Sequence, residues 1–264
     1  MEALNKVFEK SLTNWELLKT TNFNKEELFN SFRSNSDVYG FIDNGDYTPN
    51  VNIINISLTE DSQMYGYYLK QIANRKKVGY DNSSPPLNAA YTDLDSRHIM
   101  MSIILFKYLP NKTLDTVVEI GGGYGNFFYI NRNRDFKEWY IIDMPHLGGL
   151  QDWYLQQLDV DKSKYKIVSA FDYPEMKNVD LVIGTHSLSE LGYSIFKDYF
   201  EKIIINSKYF FYCFAHTEQF KELDNLKFQL INEHFTLLTD IPSERGRESN
   251  RLYVRKSATQ MSSS

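Results

Sequence analysis

The sequence predicts an α/β fold: a mostly parallel sheet with helices on both faces and an antiparallel hairpin at its end, preceded by a mainly helical N-terminal region. Three observations support this prediction. Apolar segments of strand length alternate with segments of helical period from residue 116 onwards. The first strand runs into a glycine-rich turn and a helix. The last two strands are joined by a loop too short to hold a helix, which indicates an antiparallel pair.

The alternation defines each element of the sheet region in turn. Strands are predicted at 116–120, 138–143, 165–170, 180–185, 207–215, 235–241 and 250–256. Helices are predicted at 125–133, 147–158, 192–204 and 218–232. Parallel strands joined by helices place all their carboxyl ends along one edge of the sheet, so the polar residues that follow each strand are the candidates for a binding site.

Residues 1–90 do not continue this alternation. Helices are predicted at 4–19, at 25–32 and at 59–73, the last capped by Thr59 or Ser57, and a short strand is predicted at 51–56. Turn formers and paired prolines make 79–86 a linker, and a further helix at 94–108 leads into the sheet. We therefore predict a helical cap or substrate region at 1–90, a cofactor-binding domain at 91–256 and a disordered tail at 257–264. For Arg97 and His98, at the start of helix 94–108, a solvated position is favoured over one facing the cleft.

Composition limits the classes of function. The chain of 264 residues has a net charge of −5 and a sequence pI near 5.6, which argues against nucleic acid as a partner. The single cysteine, Cys213, lies in an apolar strand; it excludes an internal disulfide and a cysteine-based zinc site and indicates a buried filler. No apolar run has the length of a membrane span and no signal pattern begins the chain, so a cytoplasmic protein is expected.

The most informative segment is 117–127, which reads VVEIGGGYGNF. Its alternate glycines permit positive φ and a close approach of the backbone to a ligand. An acid, Glu119, precedes them by two residues, and a second acid, Asp143, ends the second strand, where a carboxylate can bind two ribose hydroxyls. A dinucleotide fingerprint is the rival interpretation, although Asn126 stands where its third glycine would be; tight packing of a strand, turn and helix is the plainest one.

The residues after the second strand add a family resemblance. The run Asp143-Met144-Pro145-His146-Leu147 resembles the D-[LM]-P-x-[VL] signature of small-molecule O-methyltransferases. Together with I-G-G-G-Y-G at 120–125 and S-x-S-E at 187–190, it makes residues 91–256 similar to class I S-adenosylmethionine (SAM)-dependent methyltransferases, and most of all to a family assigned to sugar O-methylation. The resemblance implies a Rossmann-like class I methyltransferase fold with SAM as the cofactor and S-adenosylhomocysteine (SAH) as its product.

The resemblance also implies the residues that would hold the cofactor. The acid and the glycine turn of the first strand, the end of the second strand, and the pair that follows the third strand and flanks the adenine match the family's positions. These residues are Glu119, Gly121, Gly122, Gly123, Asp143, Met144, Phe171 and Asp172.

The candidate catalytic residues follow the fourth and fifth strands. A sugar hydroxyl is a very weak acid, so its methylation requires a general base or a metal. His186 is the first choice for the base, Glu190 would orient its ring or contact the acceptor, and His216 follows the fifth strand. The similar O-methyltransferases carry a His-Asp pair further along, where this chain has Ser189-Glu190. Whether the reaction requires a metal, and which metal it would be, stays open. The loop residues Arg245 and Arg247 would clamp a diphosphate or be solvated.

These features predict a SAM-dependent O-methyltransferase that modifies a sugar hydroxyl, nucleotide-linked or in a surface-glycan precursor for polysaccharide biosynthesis. One alternative is a non-catalytic SAM- or nucleotide-binding subunit of a glycan-synthesis complex. A nicotinamide-dependent oxidoreductase is the other, and Asn126 and the terminal hairpin disfavour it. The expected partner is a small-molecule sugar or nucleotide sugar, without nucleic acid or a membrane span, and a homo-oligomer is allowed.

Overall fold

The computed structural model describes residues 29, 32, 50–79, 91–215, 221–243 and 248–257. Within them, seven strands form one sheet in the order β3-β2-β1-β4-β5-β7-β6. The strands are β1 (Leu114–Ile120), β2 (Phe136–Asp143), β3 (Tyr165–Ser169), β4 (Val179–Thr185), β5 (Ser207–Ala215), β6 (Phe235–Ser243) and β7 (Glu248–Arg255).

Helices lie on both faces of this sheet. Numbered along the described residues, they are α1 (Val51–Ala73), α2 (Asp93–Tyr108), α3 (Asn126–Asn131), α4 (Pro145–Gln157), α5 (Ser187–Glu190), α6 (Tyr193–Lys202) and α7 (Lys221–His234). Short 3-10 turns occupy Lys162–Lys164 and Ile204–Asn206. No helix in the described ranges combines the length and the apolar character that crossing a bilayer demands.

The strand directions confirm the predicted fold class. β1 to β5 are parallel, whereas β7 runs antiparallel to both β5 and β6 and lies between them. Insertion of the last strand into the sheet in this way produces the terminal hairpin expected from the short loop after β6. The carboxyl ends of β1, β2, β3, β4 and β5 therefore share one edge with the amino end of β7.

The core divides into two layers because residues on a strand alternate between faces. In β1, Val117 packs with the layer that contains α1 to α4, and its neighbour Val118 packs with the layer that contains α6 and α7. In β5, Cys213 is fully buried, which confirms the prediction of a buried filler. Both faces of the parallel strands are thus covered, as their nearly continuous apolar sequence requires.

The predicted strand at 51–56 is wrong, because these residues begin α1. The side chain of Asn50 accepts a hydrogen bond from the backbone N–H of Asn52 at 3.0 Å and caps the helix. Ser57, expected as a cap for a later helix, lies inside α1 and donates to the carbonyl of Ile53. β-branched residues favour a strand locally, but the spacing of Ile53 and Ser57, both fully buried, places them on the face that packs on α2.

A buried ion pair fastens this region to the sheet domain. Arg75, just beyond α1, donates from Nη1 and Nη2 to the two carboxylate oxygens of Asp95 in α2, at 2.9 and 2.8 Å. The side chains are only 3% and 0% exposed. Asp95 also accepts from the N–H of Thr92, whose hydroxyl accepts from the Asp95 N–H, so the same carboxylate completes a capping box for α2. Arg75 is thereby bound to the first turn of α2.

We expect Arg75→Met to destabilise the protein by about 3 to 5 kcal/mol, because it leaves the Asp95 carboxylate buried without its partner. Its neighbour Lys76 offers a matched control: it pairs with Asp159, but the two side chains are 61% and 75% exposed. Lys76→Met should change the free energy of unfolding by no more than about 0.5 kcal/mol. Urea denaturation of both variants measures the difference, and equal losses would contradict the structural role assigned to the buried pair.

Candidate functional site

The backbone of the glycine turn after β1 adopts the left-handed region at three positions. The φ angles of Gly121, Gly123 and Gly125 are +78°, +58° and +90°. A Cβ on Gly121 would lie 2.1 Å from the Oγ of Ser187, so this glycine is required by packing against the turn after β4. A Cβ on Gly123 would meet no atom within 4 Å. Gly123 therefore faces open space, where its backbone can approach a ligand.

Asp143, at the end of β2, fixes the shape of the turn. Its Oδ2 accepts from the N–H of Gly123 at 2.9 Å and from Nε2 of Gln151 at 3.0 Å, and its Oδ1 accepts from the N–H of Met144 at 2.8 Å. Burial raises the pKa of Asp143 to about 7, although these bonds act to lower it. A carboxylate oxygen can accept two hydrogen bonds, so Oδ1 keeps the capacity to bind a ligand hydroxyl.

Glu119 lies fully buried beneath the same turn. Its Oε2 accepts from the indole N–H of Trp139 at 3.0 Å, and its Oε1 is buried with no hydrogen-bond partner in the described part of the chain. Burial raises the pKa of Glu119 to about 8, with the Trp139 bond lowering it and the charge of Asp143 raising it. An unsatisfied buried carboxylate oxygen is costly, and a cationic donor on a ligand would relieve that cost.

Sequence reasoning missed Gln151, which joins these elements. This α4 residue is fully buried, and its Nε2 donates to the carbonyl of Gly123 at 2.8 Å as well as to Asp143. The sequence carries a signal for it, because Gln151 lies at helical spacing with the apolar residues Leu147, Leu150 and Tyr154. A polar residue on the apolar face of a helix marks an internal hydrogen bond.

The remaining predicted cofactor residues lie at the same edge of the sheet. Met144 is half-buried and precedes α4. Phe171 follows β3 with 61% of its surface exposed, its N–H donating to Oγ of Ser169, and Asp172 is exposed next to it. The edge thus presents a flexible thioether and an exposed aromatic ring, side chains that pack well on a purine. Gly122 stays inside the turn, where a Cβ would lie 2.4 Å from Ile141.

His186 follows β4 in a strained conformation. Its φ of 62° and ψ of −47° are unusual for a residue with a side chain and cost on the order of 1 to 3 kcal/mol. The backbone is held by the His186 N–H donating to the Cys213 carbonyl at 3.0 Å and by Ser189, whose N–H and hydroxyl both donate to the His186 carbonyl. Strain of this kind, enforced by surrounding bonds, is typical of functional residues.

The ring of His186 has one nitrogen beside a sulfur atom and one without a described partner. Its Nε2 contacts the Sγ of Cys213 at 3.6 Å, and no described residue is bonded to its Nδ1. Burial lowers the pKa of His186, with Glu248 raising it and Arg97 lowering it, so the ring is neutral near neutral pH. Glu248, at the start of β7, is the carboxylate whose charge raises that pKa.

The structure does not bring Glu190 to the ring of His186. Among the described residues, Glu190 forms no hydrogen bond with the imidazole, and it lies at the exposed end of α5. Partial burial of the Glu190 carboxyl raises its pKa, and the charge of Lys227 acts to lower it. Sequence reasoning missed Lys227, which is fully buried in α7 and donates from Nζ to the carbonyls of Leu188 and Ser189 at 3.0 and 2.8 Å. Lys227 thereby secures the turn that carries His186.

The expectation of a solvated His98 is wrong. The residue is 8% exposed, its Nδ1 lies 3.0 Å from Nδ2 of Asn126, and its ring meets Phe127 edge to face. Burial lowers the pKa of His98 to about 3, against the raising effect of Asp95. Arg97 is also held, since it donates to Asp93 and to Glu248, both at 2.7 Å. The bond from Arg97 to Glu248 therefore holds the start of α2 against the amino end of β7.

Three candidate residues, His216, Arg245 and Arg247, lie outside the described residues, so their positions stay predictions. Across the ranges that the structure does describe, no group of three or more His, Cys, Asp and Glu side chains could hold a metal ion.

No protein-family model matches this chain, and a search among curated proteins gives no match. Solved structures do resemble it. The PH0226 protein of Pyrococcus horikoshii OT3 has a TM-score of 0.52 at 14% identity, over 63% of this chain and 92% of its own. PH1948 of Pyrococcus horikoshii, described as a candidate RNA methyltransferase, has a TM-score of 0.50 at 12% identity, over 74% and 98%. The N-methyltransferase NodS of Bradyrhizobium japonicum WM9, in complex with SAH, gives 0.49 at 13%, over 74% and 99%.

At such identities the likeness establishes the fold alone. Together with the strand order, it shows that this chain adopts the Rossmann-like class I methyltransferase fold. The residues that line the strand edge must carry any statement about chemistry.

Two glycines of the turn should respond to alanine to different extents. Gly121→Ala places Cβ against Ser187 and should destabilise the fold by more than about 2 kcal/mol. Gly123→Ala should cost only about 1 kcal/mol, the penalty of positive φ, because its Cβ enters open space. In a titration with SAH, however, Gly123→Ala should weaken binding about tenfold or more. Unchanged SAH affinity in Gly123→Ala would mean that the ligand does not lie against this face.

Proposed function

We propose that this protein transfers a methyl group from SAM to a hydroxyl of a sugar. The observation that carries the proposal is the meeting, at one strand edge, of an open glycine turn with two buried carboxylates and a strained, half-buried histidine. The family resemblance of the sequence, through I-G-G-G-Y-G and D-M-P, supports the same assignment.

The described residues fit SAM as the cofactor. The unpartnered Oε1 of Glu119 is suited to the cationic amino group, and the spare acceptor capacity of Asp143 Oδ1 to a ribose hydroxyl. The face of Gly123 gives the space that a ligand next to these carboxylates needs. The turn of Gly121, Gly122 and Gly123 would cradle the amino-acid part, and Met144, Phe171 and Asp172 would surround the adenine.

SAM, when bound, supplies a methyl group already activated by its sulfonium. The protein must then align an oxygen nucleophile and remove its proton as the new bond forms. His186 is the proposed base: Nε2–H donation to the Cys213 sulfur would leave the lone pair of Nδ1 free for the hydroxyl proton. The carboxylate of Glu248 would stabilise the imidazolium that results. Glu190 and His216 stay candidates for contacts with the acceptor.

The choice of a neutral or anionic small molecule agrees with the charge of the protein. Its net charge of −5 disfavours a polyanionic nucleic acid, and a sugar or a nucleotide sugar needs no large basic surface. The alternative of a nicotinamide-dependent oxidoreductase is weakened by the fold, since β7 lies antiparallel between β5 and β6. A non-catalytic SAM-binding subunit would bind the same cofactor and would differ from the proposed enzyme only in transferring no methyl group.

The first test is isothermal titration of the whole protein with SAH, with and without EDTA. We expect micromolar binding, unchanged by EDTA if no metal supports the site. Glu119→Gln should weaken that binding about tenfold or more, because glutamine cannot release a proton to give the charged acceptor that a cationic group needs. The same change should stabilise the ligand-free protein by on the order of 2 kcal/mol at about pH 8.

The sign of that stability change follows from the raised pKa of Glu119. Between about pH 5 and pH 8 the folded protein holds a proton on Glu119 that the unfolded chain has released, so stability falls as the pH rises. Glutamine removes this dependence, and its advantage should grow with pH. Glu138→Gln, at a half-exposed position of β2 where Lys166 lowers the pKa of the carboxyl, is the control: it should leave SAH binding unchanged and should not stabilise the protein as the pH rises. Absence of SAH binding in the native protein would refute the proposed cofactor.

The second test separates binding from turnover. Methyl transfer would be measured as SAH formation with a panel of nucleotide sugars that includes UDP-glucose and GDP-mannose. Asp143→Ala should weaken SAH binding, whereas His186→Ala should leave it within about twofold and lower kcat at least about a hundredfold. Normal turnover by His186→Ala would exclude this residue as the base. SAH binding without transfer to any acceptor would favour the non-catalytic alternative.

A further inference from the structure

A hydrogen-bonded chain of side chains runs from Arg75 to His98. Arg75 Nη1 lies 2.8 Å from Oδ1 of Asn126, and Asn126 Nδ2 lies 3.0 Å from Oδ1 of Asp95 and 3.0 Å from Nδ1 of His98. Asn126 and Asp95 are fully buried. Solvent therefore cannot substitute for any partner, and each member must match the next in donors and acceptors.

The chemistry of Arg75 determines the orientation of the Asn126 amide. A guanidinium can only donate, so the Asn126 atom that faces Arg75 must be the oxygen. A carboxylate paired with that guanidinium can only accept, so the atom that faces Asp95 must be the NH₂ group. Both constraints agree, and the NH₂ group is also the one that faces His98.

The tautomer of His98 follows from this orientation. The Asn126 amide donates to Nδ1 of His98, so Nδ1 must carry a lone pair. In a neutral ring the proton then resides on Nε2. No described residue is hydrogen-bonded to that Nε2, although the ring is held rigidly between Asn126 and Phe127. His98 thus presents a pre-oriented N–H donor that no residue in the described part of the chain uses.

The position of His98 places this donor beside the proposed base. Asn126 follows the glycine turn directly, and Gly121 of the same turn packs on Ser187, the neighbour of His186. Arg97, next to His98 in α2, donates to Glu248 at the amino end of β7. The two histidines therefore lie on elements that meet at one glycine turn and at the amino end of β7.

We propose that His98 Nε2–H and the free Nδ1 of His186 form a donor–acceptor pair that recognises the reacting hydroxyl of the acceptor. This inference rests on the proposed methyltransferase function and specifies its acceptor chemistry. A hydroxyl oxygen accepts from His98 while its proton is donated to His186, so both rings are satisfied. An ammonium group has no lone pair for His98 to donate to. The pair thus selects a hydroxyl over a protonated amine.

The first arm of the test reads the tautomer without SAM or acceptor. The full chain, labelled with ¹⁵N-histidine, would be examined by ring-nitrogen NMR at about pH 7, with the His98 signals identified by their loss in His98→Gln. We expect a neutral ring protonated at Nε2. Asn126→Asp replaces the amide donor by an acceptor and should move the proton to Nδ1. A native His98 that is protonated at Nδ1, or that mixes both tautomers, would overturn the inference.

The second arm uses the acceptor found among the nucleotide sugars. His98→Phe should raise the KM for that acceptor about tenfold while the KM for SAM stays within about twofold. His98→Gln, whose amide N–H can occupy the place of Nε2–H, should recover most of the loss. Thermal unfolding confirms that both variants fold. Unaltered acceptor kinetics in His98→Phe, or equal transfer to the matching amino sugar, would overturn the inference.

The two proposals fail in different ways. Absence of SAH binding refutes the methyltransferase function, and the NMR arm still decides whether His98 offers the donor. A wrong tautomer, or unaltered acceptor kinetics in His98→Phe, refutes the role of His98 alone, because neither result depends on the affinity for SAH.

Discussion

The ion pair between Arg75 and Asp95 is the constraint on which the arrangement of the site depends. Both groups are removed from water, so each needs the other and every remaining donor must be satisfied. Asp95 caps α2 and accepts from Asn126, which begins the helix after the glycine turn. One buried charge pair therefore fixes three segments that are distant in the sequence: the end of α1, the start of α2 and the turn after β1. Hydrophobic packing alone would hold these elements together without fixing their register.

The glycine turn carries a second set of buried polar groups, and these are incompletely satisfied. Asp143 and Gln151 bind the backbone of Gly123, which holds the turn in shape. Glu119, beneath the turn, keeps an oxygen without a described partner, and burial raises its pKa. The folded protein thus bears a cost that a cationic ligand would relieve. Such a cost is characteristic of binding sites, where stability is sacrificed for affinity.

The turn after β4 is likewise held in an arrangement that lowers the stability of the folded protein. His186 adopts a backbone conformation that a residue with a side chain avoids, and buried Lys227 binds the carbonyls of the residues that follow it. Burial of an ammonium is expensive, and burial lowers its pKa to about 8. The strained backbone of His186 and the buried ammonium of Lys227 together position an imidazole at the strand edge, between the glycine turn and the start of β7. The proposed cofactor site and the proposed base thus lie at adjacent parts of one edge.

The sequence by itself determined the sheet, its terminal hairpin and the residues of the glycine turn, because apolar period, turn length and glycine spacing are local signals. It also placed Glu119, Asp143 and His186 at one edge, since the carboxyl ends of parallel strands must coincide. Only the tertiary structure decided the rest. The strand predicted at 51–56 became helix because packing on α2 overrode β-branched propensity. His98, expected in solvent, is buried because Asn126 binds it. The charge of Glu248, far away in the sequence, raises the pKa of His186, and Glu190 forms no hydrogen bond with that ring among the described residues. These contacts join residues far apart in the chain, and no local pattern encodes which distant polar groups will pair.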